Sequence, residues 1–152
     1  MARLTESVLV DASLKEVWDE YFDPRGWPAW VDGFVSVERS AGYPEVGGTL
    51  VWRSKPAGRG TVSERVLEHS PRTRHRIEWS DPQSAGELLS EFAVEGEAVR
   101  VRLTLDYRLA RGGPFARLTE WLFVRGQVRR SLQRTLLRFK HEAEEAGHFA
   151  AT

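Results

Sequence analysis

Residues 98–146 read AVRVRLTLDYRLARGGPFARLTEWLFVRGQVRRSLQRTLLRFKHEAEEA, and this stretch decides the fold because its hydrophobic period changes halfway along. In the first part Val99, Val101, Leu103, Leu105, Tyr107 and Leu109 alternate with Arg100, Arg102, Thr104, Asp106 and Arg108. A period of two sends the two sets to opposite faces of a strand, one buried and one wet, as in an antiparallel sheet covered on one side. Gly112-Gly113-Pro114 then interrupts the pattern, and from there to about Ala146 the period is helical. Leu118, Trp121, Leu122, Val128, Leu132, Leu136 and Phe139 share one arc of that helix, while Arg130, Arg134 and Arg138 form a column on the far side, read as a solvated face. A helix of about thirty residues is unusually long for a small domain.

Working back toward the N-terminus, segments near 34–40, 48–54, 60–68, 74–80 and 87–95 also carry strand patterning. They are separated by turn chemistry at Gly42-Tyr43-Pro44, Gly47-Gly48, Pro56 to Gly60, Ser70-Pro71-Arg72, Asp81-Pro82 and Glu95-Gly96-Glu97, which reads as successive hairpins. Before them, Ser7-Val8-Leu9-Val10 opens the chain as a strand. Ser13 with Glu16 forms a capping box ahead of Val17 and Trp18, so a short helix runs to about Phe22. Pro24, placed at a first helical position, starts a second short helix carrying Trp27 and Trp30. The tally is one strand, two short helices, about six strands and one long helix. The fold class expected is therefore α+β, a curved antiparallel sheet of six or seven strands gripping the C-terminal helix in a single domain spanning 1–152. A strongly curved sheet around one helix encloses more volume than side chains readily fill, so a ligand cavity between them is expected.

The 152 residues hold 41% hydrophobic and 29% charged side chains, which excludes a disordered chain. No apolar stretch is long enough to span a membrane, and Met1-Ala2-Arg3-Leu4-Thr5-Glu6 lacks the apolar core of a secretory signal, so a cytoplasmic location is the default expectation. Without cysteine there is no disulfide, thiolate metal site or cysteine nucleophile. Net charge is zero, but residues 100–140 hold 11 basic and 2 acidic side chains against 11 and 17 in residues 1–99. The reading is internal complementarity, a basic helix lying over an acidic remainder.

Several of these residues carry a resemblance. Ala12-Ser13-Leu14-Lys15-Glu16-Val17-Trp18, Asp23-Pro24-Arg25-Gly26-Trp27-Pro28-Ala29-Trp30, Val46-Gly47-Gly48-Thr49 and Glu68-His69-Ser70-Pro71 resemble the signatures of the START/Bet v 1-like (SRPBCC) helix-grip superfamily, in its polyketide cyclase/dehydrase-like branch. The resemblance spans the chain and implies the helix-grip fold with a hydrophobic or amphipathic ligand (lipid, polyketide or quinone-like). It also implies, as alternatives, an aromatase/cyclase or dehydratase and a cochaperone-like interaction module.

Arg125 stands out because it falls near the centre of the helix's apolar arc, where a guanidinium must pair with an acid, reach water or meet an anionic ligand group. Glu64, Glu78 and Glu91 are the acids available to it, and ligand anchoring is the functional alternative. Arg125→Ala is then expected to weaken anionic ligands by more than about tenfold. Trp30, Trp52, Trp79 and Trp121 are candidate cavity walls, as large rings with an N–H suit a flat, partly polar ligand, with Phe92, Leu103, Tyr107, Val128 and Leu132 adding to them. Trp18 is assigned to the core. Under the cyclase alternative the resemblance casts Arg125 and Tyr107 as the pair that orients and protonates a polyketide.

His69, His75, His141 and His148 lack metal-ligand spacing, and His75, on the face of Ile77 and Trp79, reads as a satisfied structural residue. No nucleophile elbow or phosphate-cradling loop occurs. No metal, cofactor, nucleic-acid partner or stable membrane insertion is expected, and the chain is expected to be a monomer or homodimer.

Overall fold

The computed structural model describes residues 2–56, 58–109 and 118–151, and within the last helix the side chains of residues 124–148. In chain order the elements are β1 (Ala2–Val10), α1 (Leu14–Tyr21), α2 (Trp27–Trp30), β2 (Phe34–Ala41), β3 (Thr49–Ser54), β4 (Thr61–Ser70), β5 (Arg74–Ser80), β6 (Ser84–Glu95), β7 (Ala98–Leu109) and α3 (Leu118–Ala151). The Gly112-Gly113-Pro114 break and the Trp121 side chain lie outside the described residues. α3 runs past the expected end at Ala146, to Ala151.

Ser13 caps α1 as its sequence requires: Glu16 N donates to Ser13 Oγ at 3.2 Å and Ser13 N donates to Glu16 Oε2 at 3.0 Å. The second helix departs from expectation. Pro24 does not begin it; Asp23 accepts from Arg25 N in a turn, and the helix starts at Trp27 with Pro28 in its first turn. Either proline satisfies the same rule, that a missing N–H costs nothing in the first turn.

The seven strands form one antiparallel sheet in the order β1-β7-β6-β5-β4-β3-β2. Val99, Val101, Leu103, Leu105 and Tyr107 are all buried, so the face assigned from their alternation is the inner one. This is the helix-grip arrangement, curved sheet against long C-terminal helix.

α3 lies close in backbone to β1, α1 and α2, while the middle strands stand away from it. Buried side chains accordingly gather in two clusters. One joins Trp18, Tyr21, Trp27, Trp30, Trp52 and Phe139 under the short helices; the other joins Leu4, Val66, Ile77, Trp79, Leu105 and Tyr107 on the sheet. Phe139 is 1% exposed, and truncating such a ring to alanine costs about 3–5 kcal/mol.

The basic helix meets the acidic remainder as its composition suggests. Arg129 Nη1 donates to Glu6 Oε1 at 2.6 Å, on the inner side of β1. Two members of the arginine column are not merely solvated: Arg134 and Arg138 donate to Asp32, at 2.9 and 3.3 Å, and Ser131 Oγ donates to the same carboxylate at 2.7 Å. Burial raises the Asp32 pKa, but the Arg134 and Ser131 hydrogen bonds outweigh it and hold the carboxyl below the usual range. Asp32 thereby pins the α2–β2 junction to α3.

Candidate ligand cavity

Between α3 and the middle strands lies a cavity of about 1070 Å³, at the upper end of the range of small-molecule pockets. Antiparallel register and alternation order its wall into rows. Leu50, Glu64, Trp79, Gly86, Tyr107 and Ala2 stand opposite one another on the inner face. The next inward row is apolar, Val66, Ile77, Leu88, Leu105 and Leu4. The third contains His69, His75, Ser90 and Leu103. The outer end is rimmed by exposed Gly58, Pro82, Gln83 and Gln127 from the β3–β4 and β5–β6 connections and α3. A ligand entering there meets a polar row, an apolar belt, then a second polar group.

Gly86 is required for this row by the neighbouring strand rather than by a ligand. A Cβ at that position would sit 1.9 Å from the Asp106 carbonyl oxygen. The glycine therefore separates the Trp79 and Tyr107 rings by a position that no side chain fills.

In the outer row Trp52 Nε1 donates to Glu64 Oε2 at 2.7 Å. The remaining surface of Glu64 faces the cavity, and burial raises its pKa despite the Trp52 hydrogen bond and the charge of Arg59. The Arg59 guanidinium stacks 4.5 Å from the Trp79 ring and 5.4 Å from the Trp52 ring, with its Nε donating to Asp81 Oδ2 at 3.0 Å. One arginine thus ties two hairpin ends together across two tryptophan faces. Trp79 Nε1, Tyr107 Oη and Trp30 Nε1 are buried with no hydrogen-bond partner among the described residues. Burial raises the Tyr107 pKa, opposed by the charge of Arg125, so its hydroxyl keeps its proton at neutral pH.

At the inner end Tyr21 Oη lies 2.6 Å from Ser90 Oγ, and burial pushes the Tyr21 phenol up to about 12. His75 Nδ1 is 3.0 Å from His69 Nδ1 and its Nε2 is 3.5 Å from Tyr43 Oη. Burial, then the neighbouring His69, brings His75 down to about 3. His75 is therefore a neutral, hydrogen-bonded ring at physiological pH, as expected for a structural histidine.

Of the expected wall residues, Trp30, Trp52, Trp79, Leu103, Tyr107, Val128 and Leu132 line the cavity. Phe92 does not; it is buried against Trp18 and Tyr21, ring centroids 4.9 and 5.2 Å away. Trp18 packs there too, as assigned. Arg125 is also outside the lining: its Nη2 donates to the Arg3 carbonyl oxygen on β1 at 3.2 Å. Nor does it meet the acids proposed for it by position, since Glu64 accepts from Trp52 while Glu78 and Glu91 stand on the outer face by alternation. Although Arg125 falls near the centre of the arc, it turns toward β1 because α3 leans on that strand.

Sequence reasoning missed Tyr21, Trp27, Tyr43 and Glu64 as lining residues. The inward parity of Glu64, between Val62 and Val66, was the one available signal. Among the described residues there is no cluster of His, Asp or Glu able to hold a metal ion, and no helix long and apolar enough to cross a membrane.

Comparison with known proteins agrees with this geometry. Among solved structures, the Zhui aromatase/cyclase from Streptomyces sp. R1128 is 19% identical with a TM-score of 0.74, covering 94% of this chain and 93% of that one. A conserved protein from Geobacillus kaustophilus is 14% identical with a TM-score of 0.72, covering 95% and 97%. Truncated norcoclaurine synthase from Thalictrum flavum is 14% identical with a TM-score of 0.66, covering 91% of each chain. No curated protein matches the chain. The family model for polyketide cyclase/dehydrase and lipid transport proteins matches residues 1–144. With helix, sheet and cavity arranged as described, the chain belongs to the polyketide cyclase/dehydrase and lipid transport family, within the START/Bet v 1-like helix-grip superfamily.

Proposed function

We propose that this protein binds a hydrophobic or amphipathic small molecule, of lipid, polyketide or quinone type, between sheet and α3. The observation that carries the reading is the cavity itself, about 1070 Å³ and lined by Trp30, Trp52, Trp79, Leu103 and Tyr107. A filled or closed interior beside a conspicuous exposed apolar patch would favour a cochaperone-like module, and an open cavity of about 1070 Å³ supports the carrier reading over it. Native mass spectrometry of freshly purified protein tests the proposal. A stoichiometric co-purified molecule is the expected result; an empty protein that also fails to take up any hydrophobic probe overturns it.

A second reading, polyketide cyclisation or dehydration, is favoured by one observation: a carboxyl with raised pKa, Glu64, and a protonated hydroxyl, Tyr107, share one row of the wall. These groups can exchange protons with a bound carbonyl compound, and the charge of Arg125 acts on Tyr107 from outside the cavity lining. Turnover of a linear poly-β-ketone that is lost in both Glu64→Gln and Tyr107→Phe would support it; no turnover by the wild type would leave binding alone.

A further inference from the structure

We propose that Arg59 is the head-group residue of the cavity: its guanidinium, held at the mouth, takes the carboxylate of an amphipathic ligand whose apolar body lies inward, against Val66, Ile77, Leu88 and Leu105. The inference rests on the ligand-binding reading and names the charge and the position of the ligand's polar end.

The first support is the way Arg59 is held. It lies between β3 and β4, at the end where exposed Gly58, Pro82, Gln83 and Gln127 rim the cavity, and it belongs to the lining itself. Its guanidinium stacks 4.5 Å from the Trp79 ring and 5.4 Å from the Trp52 ring, both lining residues, while Nε donates to Asp81 Oδ2 at 3.0 Å. An arginine usually loses rotamer freedom when it binds an anion, and here that cost is met in the fold by two rings and one carboxylate. Only Nε is engaged. Nη1 and Nη2 donate to no described residue, and the side chain is 40% exposed, so a ligand at the mouth can reach it. A fixed planar fork with its terminal nitrogens unused matches the two oxygens of a carboxylate.

The second support is the charge around it. Among the described residues the charged members of the lining are Arg59, Arg130, Arg134, Asp32, Glu64 and Asp81. Asp32 accepts from both Arg134 and Arg138, at 2.9 and 3.3 Å. Asp81 is 3% exposed and accepts from Arg59 Nε, Gln83 N, Ser84 N and Ser84 Oγ at 2.8–3.1 Å, so its charge is met where it stands. Glu64 accepts from Trp52, and burial raises its pKa, which favours the uncharged carboxyl. Arg130 has no ion pair among the described residues and lies exposed on α3 one turn beyond Gln127. The charge of Arg125 acts on Tyr107 from outside the lining, with the same sign. The balance at the mouth is positive, and its fixed, accessible cation is Arg59.

Isothermal titration calorimetry tests this with 1-naphthoate, its neutral isostere 1-naphthamide, and 1-ethylnaphthalene, which carries no oxygen. At about pH 7.5 the wild type should bind 1-naphthoate at least about fivefold tighter than 1-naphthamide. Arg59→Gln should weaken 1-naphthoate by about tenfold or more and leave 1-ethylnaphthalene within about twofold. Arg59→Lys, which keeps the charge and loses the fork, should recover only part of that loss. Arg130→Gln should weaken 1-naphthoate by about twofold at low salt and leave it unchanged in about 0.5 M salt, because an exposed charge is screened. Equal wild-type affinity for 1-naphthoate and 1-naphthamide would overturn the inference and leave cavity binding standing; this comparison needs no variant to fold. A matching loss of 1-ethylnaphthalene affinity in Arg59→Gln would also overturn it, since Arg59 would then serve only to tie the two hairpin ends together. All three probes failing to bind would overturn the cavity reading and this inference with it.

Discussion

Lowering the pH should destabilise the protein through His75. Its side chain is 2% exposed and its pKa is down at about 3, whereas in the unfolded chain it returns to 6.5. Between those values the unfolded chain binds a proton that the folded chain refuses. Stability contributed by the neutral ring is thus complete above the unfolded value, falls as the pH drops below it, and stops falling near the folded value. Well below 6.5 each pH unit is worth about 1.4 kcal/mol and near 6.5 about half that, so descending from about pH 6.5 to about pH 4.5 removes about 2 kcal/mol. That is a large fraction of the 5–15 kcal/mol typical of a domain, so the effect is measurable. Other groups titrate in the same range with either sign: Asp32 also loses stability as the pH falls, while Glu64, its folded pKa raised, gains it. The assay is therefore a difference. Urea unfolding followed by tryptophan fluorescence, at steps from about pH 7.5 to 4.5, is compared between wild type and His75→Phe, which suits a site whose ring centroid lies 4.8 Å from that of Phe22. The wild type should lose about 1 kcal/mol per pH unit more than the variant below pH 6.5. Parallel curves would refute the claim that His75 is held neutral by burial.

Three further outcomes follow from the geometry. Asp32→Ala removes the acceptor shared by Ser131, Arg134 and Arg138, and should lower the unfolding free energy by about 2 kcal/mol in urea, with a smaller loss in high salt. Gly86→Ala places a methyl group 1.9 Å from the Asp106 carbonyl oxygen, so the strands must separate locally; a loss above about 3 kcal/mol, or insoluble expression, is expected. Arg125→Ala should leave calorimetric affinity for a neutral apolar probe such as 1-ethylnaphthalene within about twofold, because its hydrogen bond goes to Arg3 outside the cavity lining.

Much of this protein is legible without coordinates, and the reason is local. The alternation from Val99 to Leu109 names the buried face of β7, the Ser13–Glu16 box marks the start of α1, and the turn residues separate the hairpins within a residue or two. Each signal is contained in a window of neighbours, where period and capping chemistry act. Trp30, Trp52 and Trp79 were found the same way, as large rings on elements that must surround an interior.

What escaped is what depends on partners far apart in sequence. A helical wheel gives Arg125 an azimuth but not the direction in which α3 leans, and because α3 leans on β1 the guanidinium reaches Arg3. Cross-strand register sets Glu64 beside Trp79, and Trp79 and Tyr107 on either side of Gly86; it brings His69 to His75 across a tight hairpin. Asp32 and Ser131 are ninety-nine positions apart and meet only once α3 docks. Sequence alone thus determined the elements, their buried faces and the family to which they belong. The tertiary structure decided the polarity of the cavity, with Glu64 and Arg59 in its wall and Arg125 turned to β1, because register and docking angle are properties of the assembled sheet and helix and of no single segment.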